Sequence, residues 1–213
     1  GRETEMELET RNATLGDLAE ILREQHARKL DMVVPATQVR AQAGALVVTG
    51  AEPVIDADGI TPADGTYRVT QSCDDGIASK FGIPGGYLRR LRAEAIDIYD
   101  ANVNGWLERD SRAFLVRCFR GDDDQQGVAR AFLSDRFGII DNLDVLTAAL
   151  DGVRQSGAEV EVQGCDLTER RMYVRVACPS VEALAPTLLE RYRSPFTGQA
   201  GSELPVVFAG FVL

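Results

Sequence analysis

Histidine is almost absent from this 213-residue sequence, and that absence excludes a good deal of chemistry. The one present, His26, falls in a predicted helix as a surface residue. Most histidine-based metal sites are thereby removed, and a serine or cysteine nucleophile has no good base. Cysteine is sparse as well. Cys73, Cys118, Cys165 and Cys178 contain no CxxC spacing, so neither a zinc ribbon nor a disulfide framework is read here. They read as buried free thiols of a reducing compartment. No apolar run approaches a bilayer's thickness and no signal-like segment stands out, so the expectation is a cytoplasmic protein with no membrane partner. Internal repeats are missing too, which excludes solenoids and propellers.

What is present is a globular composition. Apolar residues make up 45%, enough for one sizeable core or two small ones. Acidic residues outnumber basic ones 33 to 23, for a net charge of −10 and a pI near 4.7. Such a chain binds nucleic acid only through a local basic patch that works against its own field.

The organising stretch is 112–151. R-A-F-L-V-R-C-F-R alternates and is rich in aromatic and β-branched residues, as a strand should be. G-D-D-D-Q-Q-G reads as a solvated hairpin tip. Val128–Leu133 returns as the second strand. Asp141 or Asn142 then caps a helix with apolar positions Leu143, Leu146, Ala149, Leu150 and Val153. The centre is therefore expected to be a β-hairpin packed on that helix.

Taken in order, residues 1–12 have no clear core face and are expected to fray or to dock loosely. Thr14 and Asp17 suit a helix start, and the helix runs on to about Lys29. Met32–Pro35 and Leu46–Thr49 are short strands, with a turn at Ala43-Gly44. The Asp/Gly/Pro-rich stretch 50–66 reads as loop or a subdomain joint within one α+β domain of 13–213. Tyr67–Val69 leads to Thr70 as a helix cap, and that helix closes at Gly82. The next helix turns Tyr87, Leu88 and Leu91 inward and leaves Arg89, Arg90 and Arg92 in water. A further one puts Tyr99, Val103, Trp106 and Leu107 on one core stripe. Strands are expected at Glu159–Gln163 and Arg171–Ala177, a helix at 181–192 and an apolar strand at 206–213. A globular chain rarely stops on such a strand, so the natural protein is expected to continue.

Several phrases stand together in order: Y-R-V-T, I-A-S-K-F-G-I-P-G-G-Y-L-R-R-L, A-N-V-N-G-W-L, R-A-F-L-S-D-R-F-G-I-I-D-N-L-D-V-L and L-T-E-R-R-M-Y-V-R-V. With them the chain resembles the phage/plasmid-like protein family, a domain of unknown function carried by bacteriophages, plasmids and actinobacteria. The resemblance implies a genomic setting and no accepted enzymatic activity. A step from it to recombination is analogy alone.

Three predicted strands interleave arginine with aromatics. Period two groups Leu115, Arg117 and Phe119, then Val128, Arg130 and Phe132, then Arg171, Tyr173 and Arg175. Side by side and outward, these faces would offer guanidinium to phosphate and rings to bases, with Arg89 and Arg90 extending the surface. Against this stands a core role for the rings, with the arginines paired to carboxylates at the rim. Asp122, Asp123 and Asp124 at the hairpin tip lie roughly 20 Å of strand from Asp135, too far to converge on a metal. Ser134-Asp135-Arg136 reads as a turn that orients the hairpin.

The sequence thus predicts an α+β fold, mostly antiparallel, with a more helical N-terminal part. No catalytic residue, cofactor or metal is assigned. The leading function is binding of single-stranded DNA, extending to annealing and a homo-oligomer. The alternative is a protein-interaction module, a counter-defence or regulatory factor, using its acidic surface.

Overall fold

The computed structural model describes residues 7–57, 59–122, 125–179 and Arg193. Along the chain come β1 (Thr10–Ala13), α1 (Leu15–Ala27), β2 (Lys29–Pro35), β3 (Val39–Gln42), β4 (Ala45–Val48), β5 (Val54–Asp56), β6 (Gly59–Thr61) and β7 (Gly65–Val69). Then follow α2 (Gln71–Phe81), α3 (Gly85–Glu94), α4 (Ile96–Leu107), β8 (Ala113–Phe119), β9 (Gly127–Ser134), α5 (Asn142–Ser156), β10 (Glu161–Leu167) and β11 (Met172–Ala177). This is an α+β fold. Among the described residues, four of the five helices precede residue 108, but so do seven of the strands. The helix expected at 181–192 and the strand expected at 206–213 lie outside the described residues.

The chain divides into two units, Gln25–Ile139 and Gly1–Glu24 with Ile140–Leu213. The expected joint near 50–66 is therefore not where the division falls. Residues 50–66 instead hold the β5–β6 ribbon, and the segment expected to fray supplies β1 from Thr10.

Within Gln25–Ile139, six strands order as β2-β8-β9-β7-β4-β3. Every ladder is antiparallel except β7–β9, which is parallel. Thr70 caps α2 by accepting from the Cys73 amide, and Gly82 closes it at φ 67. It is α2 that packs on the hairpin. Gly76 makes the approach possible, because a Cβ there would run into the Phe132 carbonyl. Phe81 from α2 meets Phe114 of β8 and Phe132 of β9 at ring distances of 5.6 and 5.9 Å. The helix expected in this role, α5, belongs to the other unit.

Strand β3 ends the sheet, and α4 covers it with polar side chains. The Asn104 amide accepts from the Ala41 N–H at 2.7 Å and donates to the Ala41 carbonyl at 2.9 Å. Asp100 accepts from the amides of Ala43 and Gly44, the two turn residues with positive φ. An open strand edge is a template for unwanted pairing, and these bonds close it.

In the other unit, β1, β10 and β11 form an antiparallel sheet in that order. Thr14 and Asp17 exchange hydrogen bonds at the start of α1, the reciprocal cap expected from sequence. Leu18 and Leu22 of α1, Leu146 of α5, and Leu167, Val174 and Cys165 of the sheet make its core. Asp141 occupies the cap position of α5 without a side-chain capping bond.

Candidate functional site

The arginine-and-aromatic strands do not share one sheet. Strands β8 and β9 belong to the six-stranded sheet, whereas β11 belongs to the three-stranded one. On β8 every residue from Phe114 to Phe119 is buried, so both faces of this strand are closed. Asp31 of β2 lies directly opposite Arg117 in the ladder. Its carboxylate takes both Nε and NH2 of Arg117, at 3.1 and 3.0 Å. Arg130 stacks its guanidinium 4.4 Å over the Phe119 ring and approaches the same carboxylate at 3.7 Å.

Phe119 is 3% exposed, Phe132 1% and Arg117 8%, so none of the three is presented to a ligand. Phe132 does not share a face with Arg130 either. Arg117 pairs with Ala131 but Cys118 pairs with Ala129, a register shift that leaves Arg130 as the extra residue. This bulge breaks period two. Phe132 therefore turns to Phe114, at 4.6 Å between rings, while Arg130 turns to Phe119. Arg117, Phe119, Arg130 and Phe132 are thus corrected from binding residues to structural ones.

Strand β11 behaves as the alternation predicts. Met172, Val174 and Val176 are buried, Arg175 and the preceding Arg171 are exposed, and Tyr173 is half-buried. Arg171 donates to the Tyr173 hydroxyl at 3.0 Å. Arg175 donates to Asp166, which pairs with Tyr173 across the ladder, and reaches the Asn12 side-chain oxygen at 3.3 Å. Asp166 also accepts from the Asn12 backbone N–H at 2.6 Å. That bond first, then Arg175 and nearby Arg11, holds the Asp166 carboxyl below the ordinary range despite partial desolvation. Gly164, opposite Arg175, leaves room for its side chain, since a Cβ there would sit 2.7 Å from both NH2 and the Asn12 oxygen. Arg11 and Asn12 escaped the sequence reading because their segment has no strand-like pattern.

Arg89 and Arg90 lie on α3, exposed as expected, and pair with Asp75 at 3.0 Å and Glu94 at 2.8 Å. Arg92 departs from expectation. It bonds the buried Asp74 through two nitrogens, donates to the Gly44 carbonyl at 2.8 Å and lies 4.2 Å over the Tyr99 ring. The Tyr99 hydroxyl donates to Asp74 at 2.6 Å. Burial, reinforced by Asp74, pushes the Tyr99 hydroxyl far above the ordinary tyrosine range. This cluster ties α2, α3, α4 and the β3–β4 turn together, with its carboxylate already engaged. It is a brace.

Asp122 at the hairpin tip accepts from Arg28 at 3.1 Å, and Asp135 is exposed. Among the described residues no group of three or more His, Cys, Asp or Glu is placed to hold a metal ion. Cys73, Cys118 and Cys165 are buried free thiols and Cys178 is half-buried. No helix among the described residues is long and apolar enough to cross a membrane.

The surface has apolar features that the sequence reading placed elsewhere. Trp106 and Tyr87, both expected in the core, are exposed, Trp106 at 48%. On the β5–β6 ribbon Val54 packs against the core, so the next residue must point outward. Ile55 and Ile60 lie opposite one another in the ladder at 75% and 70% exposure. The ribbon's base is fixed by Asp64, which accepts from the amides of Gly50 and Ala51 at 2.9 and 2.8 Å. Comparisons with protein-family models, curated proteins and solved structures return no match to this chain.

Proposed function

We propose that the protein is a non-enzymatic protein-interaction module that docks through the β5–β6 ribbon. The observation that carries this reading is the outward Ile55–Ile60 pair on a ribbon anchored at its base. A two-stranded ribbon alone is only marginally stable in water, so Val54 and Asp64 are what hold these isoleucines in place. Glu52 and Asp56 flank them, on a chain of net charge −10. The complementary partner is a protein with an apolar groove rimmed by lysine and arginine.

Burying an isoleucine contributes about 1.5–3 kcal/mol, so the pair supplies a usable anchor while the rim charges steer the encounter. The closed faces of β8, with Arg117 and Arg130 both turned to Asp31, support this reading by withdrawing most of the surface proposed for nucleic acid. Its test is affinity capture with the parent chain and an Ile55→Asp/Ile60→Asp variant, then titration of each purified candidate at two salt concentrations. The expected result is a partner whose affinity falls at least about tenfold in the variant and weakens with salt. A partner set and affinities unchanged by the double substitution would remove the reading.

A further inference from the structure

We infer that the outward face of the β1–β10–β11 sheet is a separate binding site for single-stranded nucleic acid, formed by Arg11, Arg171, Tyr173 and Arg175. The site is independent of the β5–β6 ribbon. Alternate positions on a strand are about 7 Å apart, so Tyr173 comes between Arg171 and Arg175 along this face, with the Arg171 guanidinium at its hydroxyl. That arrangement suits a chain that alternates phosphates with flat bases.

The groups are held in place before any ligand arrives. Arg175 lies across Gly164, tied to Asp166 and the Asn12 side chain. Asn12 takes φ 48, a left-handed conformation that asparagine tolerates better than most residues, and this turns its N–H onto Asp166. Asp166, the carboxylate beside Tyr173, is thereby occupied by two donors, and Glu161 lies exposed at the far end of the same strand. Arg171 has its guanidinium on the Tyr173 hydroxyl instead of a carboxylate, and it is exposed along with Arg11.

A net charge of −10 opposes any polyanion. Screening over about 8–10 Å at physiological salt limits that opposition to carboxylates close to the face. A single strand is favoured over a duplex or a lipid surface because the ring gains only from a base it can stack on.

The experiment is a fluorescence-anisotropy titration of the intact chain with a labelled oligothymidylate of roughly 20 nucleotides, at low and moderate salt. Arg171→Glu, Tyr173→Ala and Arg154→Glu are compared, each checked for parental circular dichroism. Arg154 is exposed on α5 and serves as a charge-matched control. Arg171→Glu is expected to weaken binding and lower the salt slope by at least about 0.7. Tyr173→Ala is expected to weaken it at least about fivefold with the slope kept. Arg154→Glu should stay near the parent, and Ile55→Asp/Ile60→Asp should bind the oligonucleotide normally.

Equal losses from Arg171→Glu and Arg154→Glu would overturn the inference. So would the absence of saturable binding, or heparin and phosphatidylserine vesicles binding as tightly without regard to Tyr173. Failure on any of these counts leaves the ribbon proposal untouched, because its variants and readouts are different.

Discussion

Strands β8 and β11 carry the same sequence device, arginine alternating with aromatic, and the fold puts them to opposite uses. On β8 both faces are closed, and Arg117 is spent on Asp31. On β11 one face is buried and the other keeps the arginines in water. The difference lies in the neighbours. β8 runs between β2 and β9, with the phenylalanine cluster under one face and an ion pair across the other. A period-two pattern shows which residues share a face, but it does not say whether that face is covered.

The largest test of this contrast is Phe132→Ala against Tyr173→Ala. Removing Phe132 from its contacts with Phe81 and Phe114 should lower unfolding free energy by about 3–5 kcal/mol in urea titration. Tyr173→Ala should move the midpoint far less. Comparable losses would show that β11 is as enclosed as β8.

Next comes the acid partner on each sheet. Asp31→Ala strands the buried Arg117 guanidinium and should cost about 3–5 kcal/mol by the same measurement. Asp166→Ala, on the open sheet, should leave the midpoint close to the parent's. A mild Asp31→Ala would mean that the Arg117 face is wetter than its burial indicates.

The pH response should separate the units in sign. Tyr67 and Tyr99 hold their protons well above the ordinary value of 10.0, mainly because they are buried. The unfolded chain therefore loses those protons first. Their contribution is full below about pH 10 and declines as pH rises above it, by up to about 1.4 kcal/mol per pH unit for each group. Tyr99→Phe should flatten the decline in stability measured across pH 9–11. Asp166 acts oppositely, because its folded value is depressed. What it adds is present above the usual carboxylate value of 3.8 and is lost as pH falls through the lowered one. A profile flat above pH 10 would contradict the enclosure of the two tyrosines.

The smallest effect is kinetic. Cys118 within β8 is fully buried, and burial pushes its thiol up, away from the reactive thiolate. Cys178, just beyond β11, is half-buried. Native-state alkylation followed by mass spectrometry should therefore mark Cys178 well before Cys118. The reverse order would break the contrast.

The sequence was sufficient for most of the local structure. Thr14 with Asp17, Thr70 and Gly82 mark helix ends because backbone groups at those ends need nearby partners, and the partners are encoded within a few residues. The β8–β9 hairpin, the Ala43-Gly44 turn and the α+β class were legible for the same reason. Contacts between distant segments were not. The chain does not announce that Asp31 faces Arg117 or that Asp74 collects Arg92 and Tyr99, because each partnership depends on packing. Trp106 has helical spacing compatible with the core stripe, yet Tyr99, Val103 and Leu107 fill that stripe alone. The bulge at Arg130 reversed the face assigned to Phe132, and one added residue on a strand has no reliable local signal. Alternation, caps and turns are properties of neighbouring residues and survive in the one-dimensional string. Burial of a face belongs to whatever packs over it, and only the tertiary structure decides that.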